Sequence, residues 1–331
     1  MNIEYITASD PYSGYVKAGK AYMKFLRSMG HVVQTSFQHH IPDCRFLHVA
    51  AYGHPLELLD LDVPTAYLYA WEYPDLPPLF KLYASNFKRV VTFSQLQVDV
   101  YKQATGKNNI DLLPNPPLIE PTEFKKRMAD QFTFLAVNRW DCRKDFEILA
   151  RAFADEFKPS EPVRMLLKIS HGNINDVMKR IGEYLGRSNM NVIMYNYSEP
   201  EMNELYRSAD VYVSTTHCEG WGYGFQDALL NGVPCIYPKS PYIVRTFFNE
   251  SNSIGVSCAT VPVKHWDVAP YFDGMNSVWS QTDYEDLRSK LRHAYEYYPF
   301  RLPVRPAKPY YDDQETLIPT LNRIVTELTN G

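Results

Sequence analysis

The chain has 331 residues, with 34 Lys plus Arg against 38 Asp plus Glu, a formal net charge of −4. A hydrophobic content of 45% with 22% charged residues excludes a disordered chain, and the mild acidity argues against a polybasic nucleic-acid binder. The length predicts roughly two domains of about 150 residues, each large enough to bury a core without staples.

Strands and helices alternate along the chain. The apolar strand Ile3–Thr7 leads into a small-residue loop ending at Ser13-Gly14, and Tyr15–Met29 has a helical pattern. Strands are expected at His31–Ser36, Arg45–Ala51, Thr65–Ala70, Arg89–Phe93 and Ile110–Leu113. Ser94 with Gln97 predicts a capping box that opens a helix to about Ala104. Pro114-Asn115-Pro116-Pro117 and Pro121 break regular structure, which puts a domain boundary between Pro114 and Asp130. The pattern then restarts: strand Phe132–Val137, helix Lys144–Phe157, strand Val163–Ile169, helix Asn175–Leu185, strand Asn191–Tyr195. Ser198 with Glu201 forms a second capping-box pattern with Pro200 in the first turn, and that helix runs to Arg207. Strand Asp210–Thr215, helix Gly224–Asn231, strand Pro234–Tyr237 and helices at Asp283–Tyr297 and Gln314–Leu328 complete the reading. This alternation predicts an α/β protein with two doubly wound, Rossmann-like domains facing across a cleft. Ligands of such sheets bind beyond the carboxyl ends of the strands, with phosphates at helix N-termini.

No apolar run approaches the ~18 residues of a membrane-spanning helix, so no transmembrane segment is expected. The segment Met1–Tyr5 lacks a basic region and a long apolar run, so no secretory signal is expected. Cys44, Cys142, Cys218, Cys235 and Cys258 never form C-x-x-C, which fits reduced thiols in the cytoplasm and gives no zinc pattern. Aromatic residues reach 14%, which suits core and surface packing and leaves a sugar-stacking role for some of them open.

Chemistry concentrates in the strand-to-helix loops. Thr215 to Asp227 holds three alternating glycines, Gly220, Gly222 and Gly224, and the amides of Tyr223 to Gln226 would point outward at a helix start. Glu219 and Asp227 put one carboxylate at the loop entrance and one about a turn into the helix, where each can accept hydroxyl hydrogen bonds. A Gly-rich turn with Asp227 favouring the helix start is the plain alternative. Arg139 and Lys144 end a buried strand five residues apart, as suits a diphosphate leaving group; a solvated basic turn is the alternative. Ser13-Gly14-Tyr15 is either a plain turn or a set of amides facing the cleft.

These segments together resemble a GT-B glycosyltransferase of the family-4 (group 1) type. Glu219 to Asp227 resembles the E-x7-E motif, with Asp as the second acid. Asn138-Arg139-Trp140 through Arg143-Lys144 resembles G-R-(W/L)-x-x-(R/E)-K, with Asn for Gly. Ser13-Gly14-Tyr15 with Ala18 and Gly19 resembles the S-G-Y-G-R-A helix start. Trp71-Glu72 with Leu76-Pro77-Pro78 and then Ser94 resembles W-E-x-x-x-L-P-P … P-S-x-F, and Pro114-Asn115 resembles P-N-G with Pro116 for the glycine. In order, these matches span roughly residues 1–300.

The resemblance implies a retaining, metal-independent transfer of a sugar from a nucleotide-diphosphate-sugar to a hydroxyl acceptor, which is a glycan, a protein or a lipid-linked molecule. It implies an acceptor-side domain at 1–120, a donor domain at 121–308, and a terminal segment 309–331 packing back on the first domain. Arg139 and Lys144 would hold the diphosphate and Glu219 the donor sugar hydroxyls. Asp227 would take the ribose, with Gly222 and the amides of Tyr223, Gly224 and Phe225 supporting sugar and phosphates. Gly14 would approach the diphosphate from the first domain. No cofactor beyond the donor co-substrate and no metal is expected. Glu72 and His54 are candidates for the acceptor side; Glu72 alternatively orients the Pro74–Pro78 loop. The D-x-D at Asp60–Asp62 precedes a strand and reads as a loop, and His39, His40 and His54 lack partner ligands at metal spacing. Tyr67, Tyr69, Trp71 and Tyr73 alternate at strand period, for which packing on one face is the default explanation. A catalytically silent nucleotide-sugar or glycan-binding module is the alternative function, motivated by Asn138 and Asp227; epimerisation or phosphorolysis on the same fold is a third.

Overall fold

A short apolar strand, β1 (Asn2–Thr7), opens the chain and feeds α1 (Gly14–Ser28), whose start is capped by the Ser13 hydroxyl accepting from Val16 N at 3.2 Å. There follow β2 (Val32–Gln34), β3 (Cys44–His48), β4 (Thr65–Leu68), α2 (Pro78–Asn86), β5 (Arg89–Thr92), α3 (Gln95–Thr105) and β6 (Ile110–Leu112). These strands form one parallel sheet in the order β2-β1-β3-β4-β5-β6. Strands β3 and β4 are buried along their whole lengths, as a parallel sheet covered on both faces requires. Tyr67, Tyr69, Trp71 and Tyr73 are all buried; Tyr67 stacks on Phe87, and Trp71 meets Phe80 edge-on. Packing therefore accounts for that aromatic run.

The computed structural model describes residues 1–10, 13–36, 41–49, 62–117, 131–243, 248–263, 277–297 and 317–330. The chain divides into two units, Met1–Leu118 with Val268–Ser277 and Pro309–Gly331, and Ile119–Asp267 with Val278–Lys308. In the second unit the order is β7 (Phe132–Arg139), a 3-10 turn (Cys142–Lys144), α4 (Phe146–Glu156), β8 (Val163–Ser170), α5 (Ile174–Gly186), β9 (Met190–Ile193), α6 (Glu199–Arg207), β10 (Val211–Val213), α7 (Tyr223–Leu230), β11 (Cys235–Pro238) and β12 (Ser253–Val256). An antiparallel pair, β13 (Cys258–Pro262) and β14 (Val278–Thr282), and helix α8 (Tyr284–Tyr297) complete it. Its main sheet is parallel, in the order β12-β11-β10-β7-β8-β9. The core gathers Phe134, Phe153 and Phe157 around the start of β7, with Val163, Val177, Ile181 and Leu291.

The last helix, α9 (Ile318–Thr329), belongs to the first unit and lies beside β3 and β4. It buries Leu321, Ile324, Val325 and Leu328. Lys88 Nζ donates to Leu328 O at 2.8 Å, and Arg323 Nη2 reaches Asp111 Oδ1 at 2.5 Å.

The α/β class and the alternating order are those expected. The Ser198 cap is present, with its N–H donating to Glu201 Oε2 at 2.7 Å. At the other cap Ser94 Oγ accepts from Gln97 N, but the Gln97 side chain accepts from Phe93 N at 3.4 Å. Helix α2 and strands β12, β13 and β14 were not expected. Helix α4 begins at Phe146, not at Lys144, because Asp145 turns the chain and caps it.

Candidate functional site

In the second sheet β7 lies between β8 on one side and β10 on the other, so the order of connection reverses at the β10–β7 boundary. A doubly wound sheet holds its ligand beyond the strand ends at such a reversal. The loops that leave β7 and β10 there are 140–145 and 214–222, the two segments with the strongest chemistry in the sequence.

The loop after β7 is built tightly. Asn138 Nδ2 donates to Ser214 Oγ across the strand ends at 3.1 Å. Trp140 donates from Nε1 to Asp176 Oδ2 at 2.6 Å and stacks on Phe146. Asp145 has φ 46°, a left-handed conformation that few non-glycine residues adopt, and its Oδ1 caps α4 by accepting from Ile148 N at 3.3 Å. The loop after β10 is stitched onto this turn. Thr215 Oγ1 donates to Asp145 O at 2.8 Å, and His217 N donates to Arg143 O at 2.8 Å.

These straps bring three charged side chains together. Lys144 Nζ donates to Glu219 Oε1, and Arg143 Nη1 lies 3.3 Å from Glu219 Oε2 and 2.7 Å from Cys218 O. Lys144 and Glu219 are largely shielded from water, at 8% and 11% side-chain exposure. Burial pushes the Glu219 carboxyl up, but the adjacent Lys144 and Arg143 outweigh it and hold the group below its ordinary value. Glu219 is therefore ionised at neutral pH. Arg139, at the end of β7, is exposed and makes no ion pair among the described residues. One cation of the predicted pair is thus committed to a carboxylate and the other stands in solvent.

Helix α7 starts on Gly222, whose φ of 98° requires glycine. Gly222 O accepts from Phe225 N at 3.0 Å and from Gln226 N at 3.2 Å. This corrects the expectation of outward amides from Tyr223 to Gln226: the Phe225 and Gln226 N–H groups are spent on the helix itself. The Phe225 ring is buried against Tyr212 and Phe248. The Gly224 N–H makes no hydrogen bond among the described residues. A Cβ on Gly224 would lie 2.9 Å from Tyr212 Cζ and 3.3 Å from Val137 O, so this glycine is demanded by packing beneath the loop. Asp227 is half-buried on the second turn of α7, and its backbone O accepts from Asn231 Nδ2 at 2.9 Å.

In the first unit Gly14 is exposed and is the first residue of α1, the helix that follows β1. The sheet reverses at β1 and β3, and the residue that ends β3 is His48, which the sequence reading passed over. His48 is buried among the rings of Tyr5, Tyr15, Tyr22 and Phe93, with Nδ1 2.9 Å from Tyr5 Oη. Burial lowers its pKa to about 3, so it is neutral at ordinary pH. Glu72 is half-buried in the loop after β4, which Trp71 ties down by donating from Nε1 to Asp75 O at 2.7 Å. His54, His39, His40 and Asp60 lie outside the described residues. All five cysteines are free thiols. Among the described residues no group of three or more His, Cys, Asp or Glu is arranged to hold a metal, and no helix is long and apolar enough to cross a membrane.

Arg143, which had been given no role beyond its place in the G-R-(W/L)-x-x-(R/E)-K resemblance, also joins the site. Asp145 and His217 join it without having been singled out: their only sequence signal is adjacency to Lys144 and Glu219, since they lie about seventy residues apart along the chain.

Residues 120–262 match the glycosyl transferases group 1 family. No curated protein matches the chain. Among solved structures, HepE from Anabaena in complex with UDP and glucose is 13% identical, with a TM-score of 0.66 over 100% of this chain and 99% of that one. WaaG, a glycosyltransferase involved in lipopolysaccharide biosynthesis, is 13% identical, with a TM-score of 0.63 over 100% of both chains. The pneumococcal O-GlcNAc transferase GtfA, in complex with UDP and GlcNAc, is 14% identical, with a TM-score of 0.64 over 94% of this chain and 60% of that one. The chain spans about three-fifths of the length of GtfA and of TarM, at 60% and 57%. Two parallel six-stranded sheets with flanking helices give this chain the GT-B fold of glycosyltransferases. The stretch that matches the glycosyl transferases group 1 model lies within its second unit.

Proposed function

We propose that the chain is a retaining glycosyltransferase that moves a sugar from a nucleoside-diphosphate sugar to a hydroxyl acceptor. The observation that carries this reading is the buried Lys144–Glu219–Arg143 charge cluster beside the exposed Arg139, at the sheet reversal of the second unit. Arg139 and Lys144 hold the donor diphosphate, and Arg143 adds to their field. Their charge stabilises the leaving diphosphate as the glycosidic bond breaks, so the proposed reaction needs no metal. Glu219, kept ionised by the same cations, accepts hydroxyl hydrogen bonds from the donor sugar. Asp227 takes the ribose hydroxyls, and the Gly224 amide at the head of α7 supports the phosphates. The leaving phosphate takes the acceptor proton on the face it departs from, which retains the anomeric configuration. The first unit, with Glu72 after β4, serves the acceptor. The acceptor is a glycan, a protein or a lipid-linked molecule, and the reaction is cytoplasmic.

HepE and GtfA were both solved with UDP, so UDP-sugars are the first donors to test. The test is calorimetric titration with UDP, GDP and their sugar conjugates, on wild type and on Arg139→Ala. Arg139 is exposed and makes no ion pair among the described residues, so its removal leaves the fold intact. Saturable binding of one nucleotide, weakened tenfold or more (about 1.4 kcal/mol) in the variant, is the expected result. Absence of nucleotide binding by the folded wild type would overturn the donor site. Binding without turnover across an acceptor screen would instead favour a silent sugar-nucleotide-binding module.

A further inference from the structure

His217 lies two residues before Glu219, in the loop after β10, and is 4% exposed. Its Nδ1 is 2.6 Å from Ser280 O on β14. A carbonyl only accepts, so Nδ1 carries the hydrogen and donates. The ring is stacked on Trp279 with centroids 4.0 Å apart. Its other nitrogen, Nε2, faces Asp145 Oδ2 at 3.6 Å. Asp145 follows Lys144 directly and occupies the left-handed backbone region. Its carboxylate is engaged from three sides: Ile148 N at Oδ1, Gln281 Nε2 at Oδ2 at 3.1 Å, and the imidazole. One histidine and one aspartate thus tie together the turn after β7, the loop after β10 and strand β14.

The left-handed turn at Asp145 sets where Lys144 leaves the chain, and the loop at His217 sets where Glu219 does. We propose that His217 and Asp145 are positioning residues of the donor site, a buried pair whose proton fixes Lys144 against Glu219. With Nδ1 donating to Ser280 O, a neutral imidazole presents a lone pair to a carboxylate, and one added proton converts that juxtaposition into an Nε2–H···Oδ2 bond. Burial lowers His217 against the opposing effects of Asp145 and the Ser280 carbonyl; Arg143 adds to the lowering, while Asp141 opposes it. Burial raises Asp145, opposed by His217, Gln281 and Ile148, while Glu147 adds to the rise. The pair therefore takes up its proton as pH falls below the ordinary imidazole range.

Only the nucleotide-binding arm of the test rests on the donor-site reading. In a titration followed by NMR between about pH 4.5 and 8, the amide resonances of Lys144, Asp145 and Glu219 should move with the His217 imidazole in one shared transition. His217→Asn keeps a donor toward Ser280 O and cannot take the proton, so the shared transition should vanish while the fold persists. His217→Ala should weaken UDP and pyrophosphate binding about tenfold or more, and His217→Asn should recover most of that loss. Resonances of Lys144 and Glu219 that ignore His217, or that titrate identically in His217→Asn, would overturn the proposal. So would equal UDP binding by folded His217→Ala and wild type. A wild type that binds neither UDP nor pyrophosphate, yet shows the shared transition, would remove the donor reading and leave the positioning pair standing.

Discussion

Gly224 gives the sharpest test of how the donor loop is built. Alanine there puts a Cβ 2.9 Å from Tyr212 Cζ and closer still to its hydroxyl. Tyr212 cannot swing aside: it is 1% exposed, donates to Val137 O at 3.1 Å, and meets Phe225 edge-on at 5.5 Å. Relief must come from shifting the first turn of α7 or from breaking the Tyr212 hydrogen bond. Overpacking costs about 1–3 kcal/mol and an unmade buried hydrogen bond about as much again. The gain in helix propensity from Gly to Ala offsets about 1 kcal/mol. With both costs incurred, Gly224→Ala should therefore destabilise the second unit by roughly 1–5 kcal/mol. Combined with Tyr212→Phe it should cost at least about 1 kcal/mol less than the sum of the single variants, because the hydroxyl that obstructs the Cβ is gone. Urea denaturation of the four proteins, followed by far-UV circular dichroism, measures this cycle. A Gly224→Ala stability within about 0.5 kcal/mol of wild type, or strict additivity, would refute the packing argument.

Three further outcomes follow from named contacts. His48 has a folded pKa of about 3 against an unfolded value near 6.5, so the unfolded chain binds the extra proton as pH falls between them. Stability that is fully present above the unfolded pKa is thus lost on acidification, by at most about 1.4 kcal/mol per pH unit. His48→Gln should flatten the denaturation midpoint of the first unit between about pH 6.5 and 4.5; an unchanged slope would exclude His48 as its source. Asp111 is 3% exposed and bridges Arg89 at 2.6 Å and Arg323 at 2.5 Å, so Asp111→Ala leaves both arginines sharing the more exposed Glu327, whereas Arg323→Ala leaves the Arg89–Asp111 pair in place. We expect a loss of about 2–4 kcal/mol for the first and under about 1 kcal/mol for the second, read from urea midpoints; equal losses would argue against the bridge. In a donor assay Lys144→Ala should lower turnover at least tenfold (about 1.4 kcal/mol of barrier) and also lower stability, because it takes from the shielded Glu219 the nearer of its two described cations. Arg139→Ala should affect turnover alone, and equal melting temperatures in the two variants would contradict that division.

The parts of the fold that were legible in the sequence are those whose physics is local. A helix start such as Ser198 with Glu201 is written within four residues, and both members are found in contact. The alternation of strands and helices likewise needs only the period of the apolar positions. Helix α2 was missed although Pro78 stands in its first turn, because the surrounding prolines read as a loop and a proline at a helix start was not given its weight. Strands β13 and β14 were missed for a different reason. Val261 and Trp279 are partners across an antiparallel ladder, yet each strand alone is too short and too polar to announce itself. The site divides along the same line. Glu219, Lys144 and Gly222 stood out because a motif carries them, but what holds them in place did not. Gly224 looked like a residue for approach to a ligand, and its nearest constraint is Tyr212 underneath it. His217 drew no reading of its own, and its contacts are with Asp145 and Ser280, neither near it in sequence. A motif records the atoms that face a ligand. The side chains that support them answer only to packing, so they emerge once the strands bearing them are set side by side.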